Sequence, residues 1–189
     1  MAWIIGIAVA VIIVIVISIF IYYYNRFAIL ENRIENSSSQ IDVQLKKRSD
    51  LVPNLVKTVK GYAKHEKGIM ADVTKARADM LKAGNNLPQR MKAGDMLQNA
   101  LSKIFAIAEN YPDLKANQNF LHLQQELSAI EDKVAYARQY FNDSVLAYDN
   151  ATSVFPGVWF FHLYKKEKKE YIKIPEAQKA VPNVDFDTA

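Results

Sequence analysis

From Trp3 to Tyr24 the chain reads WIIGIAVAVIIVIVISIFIYYY, 22 residues without a charge. As a helix it would rise roughly 33 Å, against a bilayer hydrocarbon core of about 30 Å. A surface helix of a soluble domain needs a polar face, and this stretch has none. It reads as a membrane-spanning helix marked by Trp3, Ile12, Ile15, Phe20 and Tyr24, with the lipid bilayer as partner. Trp3 at one end and Tyr22 to Tyr24 at the other fit the aromatic belts of the two interfaces. A cleaved signal would start basic and end at a small-residue site. Met1-Ala2 and the closing tyrosines match neither pattern, so a retained anchor is expected.

Nothing basic precedes this helix apart from the terminal amine, whereas Arg26, Arg33, Lys46, Lys47 and Arg48 follow it. The positive-inside rule then puts Met1 outside and the rest in the cytoplasm, giving a single-pass protein of the inner (cell) membrane. The absence of cysteine fits a reducing compartment. A net charge of +4 with acids and bases intermixed argues against a nucleic-acid binder, which would cluster its basic residues.

After the anchor (1–24) the pattern is helical, and the chain divides into a bundle domain (25–153), an aromatic and basic segment (154–173) and an extended or disordered tail (174–189). Phe27, Ile34 and Ile41 recur every seventh residue, with Leu30, Ser37 and Gln44 between them. Asp50 as an N-cap and Pro53 in a first turn point to a helix break with chain reversal at Ser49–Asn54. A kink in one long helix is the alternative. A second apolar stripe runs from Leu55 through Val59, Met70 and Val73 to Met80, interrupted by Gly61 and Gly68. Lys57, Lys60, Lys64 and Lys67 form another face, either solvated or open to an acidic partner or lipid headgroup. Ala83–Pro88 is a loop by composition. A shorter helix, about Gln89 to Glu109, turns Met91, Leu97, Leu101, Ile104 and Ala108 inward.

The clearest repeat follows. Phe120, Leu127, Val134, Phe141 and Tyr148 lie seven apart, with Leu123, Ile130, Ala137 and Ser144 between them. This predicts a helix of roughly 55 Å with coiled-coil-like packing, long enough to overhang its neighbours. Thr152–Gly157 ends it. The aromatic run after it precedes a lysine-rich stretch. Phe155, Trp159, Phe160, Phe161, Lys165 and Lys166 are candidates for contact with a membrane interface, or else the aromatics plug the open end of the bundle. Asn54, His65, Glu66, Arg138 and Asn142 flank apolar stripes on different helices and are candidates for an interhelical polar network.

Catalytic patterns are missing. His65-Glu66 has no second histidine at metalloprotease spacing, and no phosphate loop or nucleophile elbow occurs. Glu126 is followed three residues on by Ala129 and Glu66 by Ile69, so the Glu-x-x-His pairs of di-metal bundles are absent. No catalytic, metal or cofactor site and no small-molecule substrate are expected.

The run Gln40-Ile41-Asp42-Val43-Gln44-Leu45-Lys46-Lys47-Arg48-Ser49-Asp50-Leu51-Val52-Pro53-Asn54-Leu55-Val56, continued by Thr58 to Glu66, closely resembles the signature of the LemA family. Glu109-Asn110-Tyr111-Pro112-Asp113-Leu114-Lys115-Ala116-Asn117 and Ala137-Arg138-Gln139-Tyr140-Phe141-Asn142-Asp143 are similar to two further family motifs. Ser49 departs from the aromatic more usual there. The resemblance implies a bacterial single-pass membrane protein with a short outer N-terminus and an all-α body like an up-and-down four-helix bundle. It favours chain reversal at Pro53. The family has no established activity, and its members look like neighbours of membrane proteases and other envelope proteins. The combined expectation is a non-enzymatic envelope scaffold that forms a homo-oligomer, or an adaptor for an envelope protein partner.

Overall fold

A computed structural model describes residues 1–84 and 86–173; the 174–189 tail expected to be extended or disordered lies outside them. Among the described residues six helices follow one another: α1 (Ala2–Tyr62), α2 (Lys67–Lys82), α3 (Leu87–Ala108), α4 (Pro112–Lys115), α5 (Gln118–Ser153) and α6 (Gly157–Leu163). Among the described residues there is no strand, and α1, α2, α3 and α5 make the expected antiparallel bundle.

The helix directions can be read from side-chain partners. Phe27 lies beside Tyr148, Arg48 pairs with Glu131, and the Asn117 amide donates to the Tyr62 hydroxyl at 2.9 Å. This is the register of two antiparallel helices, α1 and α5. Arg77 of α2 meets Ser49, while Arg90 and Gly94 of α3 meet Asp42 and Leu45. So α2 runs down along α1 and α3 runs back up. Gly94 lets α3 approach closely: a Cβ there would sit 2.6 Å from Leu45 Cδ2.

Heptad positions form the core. Phe27, Ile34 and Ile41 are buried against Phe120, Leu127, Val134, Phe141 and Tyr148, with the intervening Leu123, Ile130, Ala137 and Ser144 also buried. Both longer caps are asparagines. Asn86 Oδ1 accepts from Gln89 N–H at 3.1 Å, and Asn117 Oδ1 from Phe120 N–H at 3.0 Å. Gly84, at φ +63°, closes the α2–α3 turn. Leu114 of α4, fully buried, plugs the end of the bundle far from the apolar segment.

The reversal expected at Ser49–Asn54 does not occur there. α1 is one helix of 61 residues with Pro53 inside it, and the chain turns at Ala63–Glu66 instead. Asp50 is not a cap; it pairs with Lys46 one turn earlier in the same helix. Proline removes the N–H that would bond the carbonyl four residues back, here that of Ser49. Arg77 Nε from α2 donates to that carbonyl at 2.9 Å and replaces the missing donor. A tertiary contact thus overrides the local break signal. The stripe from Leu55 to Met80 is split by the true turn, its first part on α1 and its second on α2.

Because α2 and α3 turn back at the level of Asp42, α1 and α5 extend beyond them as a two-helix neck towards the apolar segment. The segment after α6 returns along this neck. Lys166 pairs with Glu31 at 2.5 Å, the Tyr148 hydroxyl donates to the Glu167 carbonyl at 3.0 Å, and Asn142 exchanges two hydrogen bonds with the Ile172 backbone at 2.9 and 3.0 Å.

Candidate functional site

Four features stand out, taken from the centre of the bundle outwards. Arg48 continues the seven-residue series of Phe27, Ile34 and Ile41, so its side chain enters the core and is fully buried. It pairs with Glu131 of α5 and donates to the Gly94 carbonyl at 3.3 Å. Arg138 pairs with Asp95, and Arg90 with Asp42 at 2.9 Å. Burial pushes the Arg48 guanidinium below its usual range, with Arg138 adding to the shift and Glu131 and Asp95 opposing it. Burial also raises the Asp42 carboxyl, against the pull of Arg90. Of these six side chains only Arg48 is fully buried, and desolvation offsets much of what such a pair adds to stability. Among the described residues no group of three or more His, Cys, Asp or Glu is placed to hold a metal.

At the far end, Lys60, Lys64, Lys67, Lys75 and His65 surround a cleft of about 930 Å³ floored by Met70 and Ala71. Its lining has no carboxylate. Beside it, Tyr111 donates to Glu66 at 3.1 Å, and that hydrogen bond, with partial desolvation and the carboxylate charge, raises the Tyr111 phenol.

On the side of α1 and α5 away from α2 and α3, a groove of about 650 Å³ is lined by Asn36, Gln40, Val43, Lys133, Tyr136 and Tyr140. Tyr136 is 77% exposed and Val43 50%.

At the near end, α6 packs on the close of the apolar run. Phe160 stacks on Tyr23 at 4.6 Å and meets Phe20 edge-on at 5.1 Å. The Tyr164 hydroxyl donates to the Phe20 carbonyl at 2.9 Å. Tyr148, on α5, is held by Glu31 and Glu167, and its phenol is pushed up to about 12, by burial first and by the Glu31 carboxylate second.

The residues singled out from sequence fall as follows. Trp3, Ile12, Ile15, Phe20 and Tyr24 lie exposed on α1. The five polar candidates do not come together. Asn54 is exposed on α1, His65 lines the basic cleft, Glu66 holds Tyr111, Arg138 joins Asp95, and Asn142 holds the returning strap. Of the aromatic and basic set, Phe160 and Phe161 turn inward and Lys166 is paired, while Phe155, Trp159 and Lys165 stay exposed. Arg48 and Arg77 were missed. Counting sevens past Ile41 would have found Arg48; no local signal marks Arg77.

A model of the LemA family matches residues 37–186. The chain belongs to the LemA family. Among curated proteins, this chain is similar to magnetosome protein MamQ of Magnetospirillum gryphiswaldense, 25% identical over 173 residues, covering 78% of this chain and 64% of that protein. Magnetosome protein MamQ 2 of Paramagnetospirillum magneticum is 23% identical over 175 residues, covering 79% and 64%. Protein LemA of Metamycoplasma hominis is 25% identical over 162 residues, covering 84% and 71%. The LemA chain thus matches less than two thirds of the length of the MamQ proteins. The family match, together with the long exposed apolar start of α1, fits a membrane-associated helical protein.

Proposed function

We propose that this LemA-family chain is a single-pass membrane-anchored scaffold that acts by binding and assembles with copies of itself. One observation carries the anchor: the apolar part of α1, with a mean hydropathy of 3.5 over its best 18 residues, has 0% of that window buried by the rest of the chain. Only lipid or another apolar body can cover it. The charges after the span orient the bundle to the cytoplasm, which protease protection in sealed vesicles tests. Self-association is supported by the open α1–α5 groove with its exposed tyrosine and valine. The chain has no cysteine, so a single Tyr136→Cys gives an unambiguous reporter. Oxidation in native membranes yields a covalent dimer from Tyr136→Cys and none from Lys103→Cys on α3. Monomer alone, from both, counts against assembly through this groove.

A second reading, an adaptor that presents its bundle to an envelope protein, is favoured by the carboxylate-free basic cleft at the far end. A stoichiometric partner recovered from solubilised membranes by the native chain, and lost with Lys60→Glu/Lys64→Glu, supports it. Equal recovery by both chains removes the cleft from consideration.

A further inference from the structure

α6 has only seven residues, too few to be stable alone, yet its position is fixed from three sides. Phe160 is clamped between Phe20 and Tyr23, Tyr164 is bonded to the Phe20 backbone, and Gly157 lies against the end of α5. A Cβ on Gly157 would meet the Ala151 carbonyl oxygen at 2.1 Å, so this corner cannot loosen without moving α6. The anchor points on α1, Phe20, Tyr23, Tyr24 and Phe27, lie where its apolar run ends. The depth of α6 is therefore tied to the depth of that boundary.

The opposite face of α6 has no cover among the described residues. Phe155 is 69% and Trp159 67% exposed, and the two rings meet edge-on at 4.8 Å as a single wedge. Leu163 extends the apolar edge, and the exposed Lys165 and Lys168 follow directly. Indole and phenyl rings backed by lysines suit the zone between acyl chains and anionic headgroups.

From this we infer that the outer face of α6 is inserted in the headgroup–acyl boundary of the bilayer that α1 crosses, as a second membrane contact that fixes the neck relative to the membrane. The inference rests on the spanning reading of α1. Lipid is the occupant because α6, which carries the wedge, packs through Phe160 on Phe20 at the close of the exposed apolar surface of α1, so the level of the wedge is set by α1 itself.

The chain has two tryptophans, Trp3 and Trp159, which makes the test direct. The full chain is reconstituted in phosphatidylcholine–phosphatidylglycerol vesicles as Trp3→Phe, which leaves Trp159 as the sole indole, and as Trp159→Phe, which leaves Trp3. Acyl chains labelled near the headgroup or near the methyl end serve as quenchers, and iodide probes the aqueous phase. The expected result for Trp159 is protection from iodide and about twofold stronger quenching by the shallow label than by the deep one. Iodide access without lipid quenching overturns the inference. Shielding from both also overturns it, since protein would then cover the wedge. Trp159→Phe, with Trp3 as its sole indole, reports on the anchor alone: absence of lipid quenching there refutes the spanning reading, whatever Trp159 shows in Trp3→Phe.

Discussion

Pro53 sits in the interior of α1, and the carbonyl it orphans, that of Ser49, is met by Arg77 Nε at 2.9 Å. Replacing Arg77 by Met keeps most of the aliphatic stem but leaves a buried acceptor without a donor, which costs about 1–3 kcal/mol. For a chain of this size, about 1 kcal/mol moves the melting temperature by roughly 2–4 °C, so Arg77→Met lowers it by several degrees. Pro53→Ala restores the backbone N–H, so the helix bonds the Ser49 carbonyl itself. In that background Arg77→Met loses only packing, less than about 1 kcal/mol. The double-mutant cycle therefore shows a coupling of at least about 1 kcal/mol between residues on different helices. Thermal and urea unfolding of the full chain in detergent, followed by far-ultraviolet circular dichroism, measures all four variants. Equal costs for Arg77→Met in both backgrounds would refute the reasoning, because Arg77 would then act through packing alone.

Other outcomes follow from the same contacts. Arg48→Ala leaves the partly exposed Glu131 without its partner and costs about 1–3 kcal/mol, whereas Arg48→Met/Glu131→Leu recovers most of it, both read from urea midpoints. Ser49 Oγ is buried without a protein partner, so Ser49→Ala is neutral or raises the melting temperature slightly. The Tyr148 phenol is raised to about 12 in the folded chain, so its contribution is fully present below the ordinary value of 10.0 and is lost as pH climbs through about 12. With solvent screening the loss is of order 1–2 kcal/mol, and Tyr148→Phe flattens the alkaline arm of a melting-temperature profile. Gly157→Ala drives a Cβ into the Ala151 carbonyl and displaces α6, seen as increased iodide quenching of Trp159 in a Trp3→Phe background.

The bundle was legible because its core is periodic. Phe27 to Ile41 and Phe120 to Tyr148 keep the seven-residue step of two helices in long contact, and every residue of those two series is buried. The break after α2 was legible from composition at Ala83 and Gly84, although α3 begins at Leu87, two residues before the Gln89 expected, so Leu87 and Pro88 are helical and not loop. Pro53 was misread because cap and proline rules are local, while its compensation comes from Arg77, 24 positions on in sequence. The actual turn at Ala63–Glu66 carries no proline, and Gly61 gave only a weak signal. Arg48 was hidden by its charge: guanidinium groups are expected at the surface, so its place in the series beginning at Phe27 went uncounted. The polar candidates were chosen for flanking apolar stripes, but flanking positions face different neighbours at each level of a bundle. That is why Asn142 meets the returning backbone and His65 faces solvent.

An unbroken α1 makes the molecule a mast. From Tyr24 to Tyr62 it runs about 57 Å as one continuous helix, with its single missing backbone bond, at Pro53, covered by Arg77. With α1 read as a span, the basic tip stands at that distance from the lipid. One residue inserted between Arg26 and Glu31 would add about 1.5 Å and roughly 100° to α1 at that level, so Phe27 and Glu31 could not both keep their places against Tyr148 and Lys166.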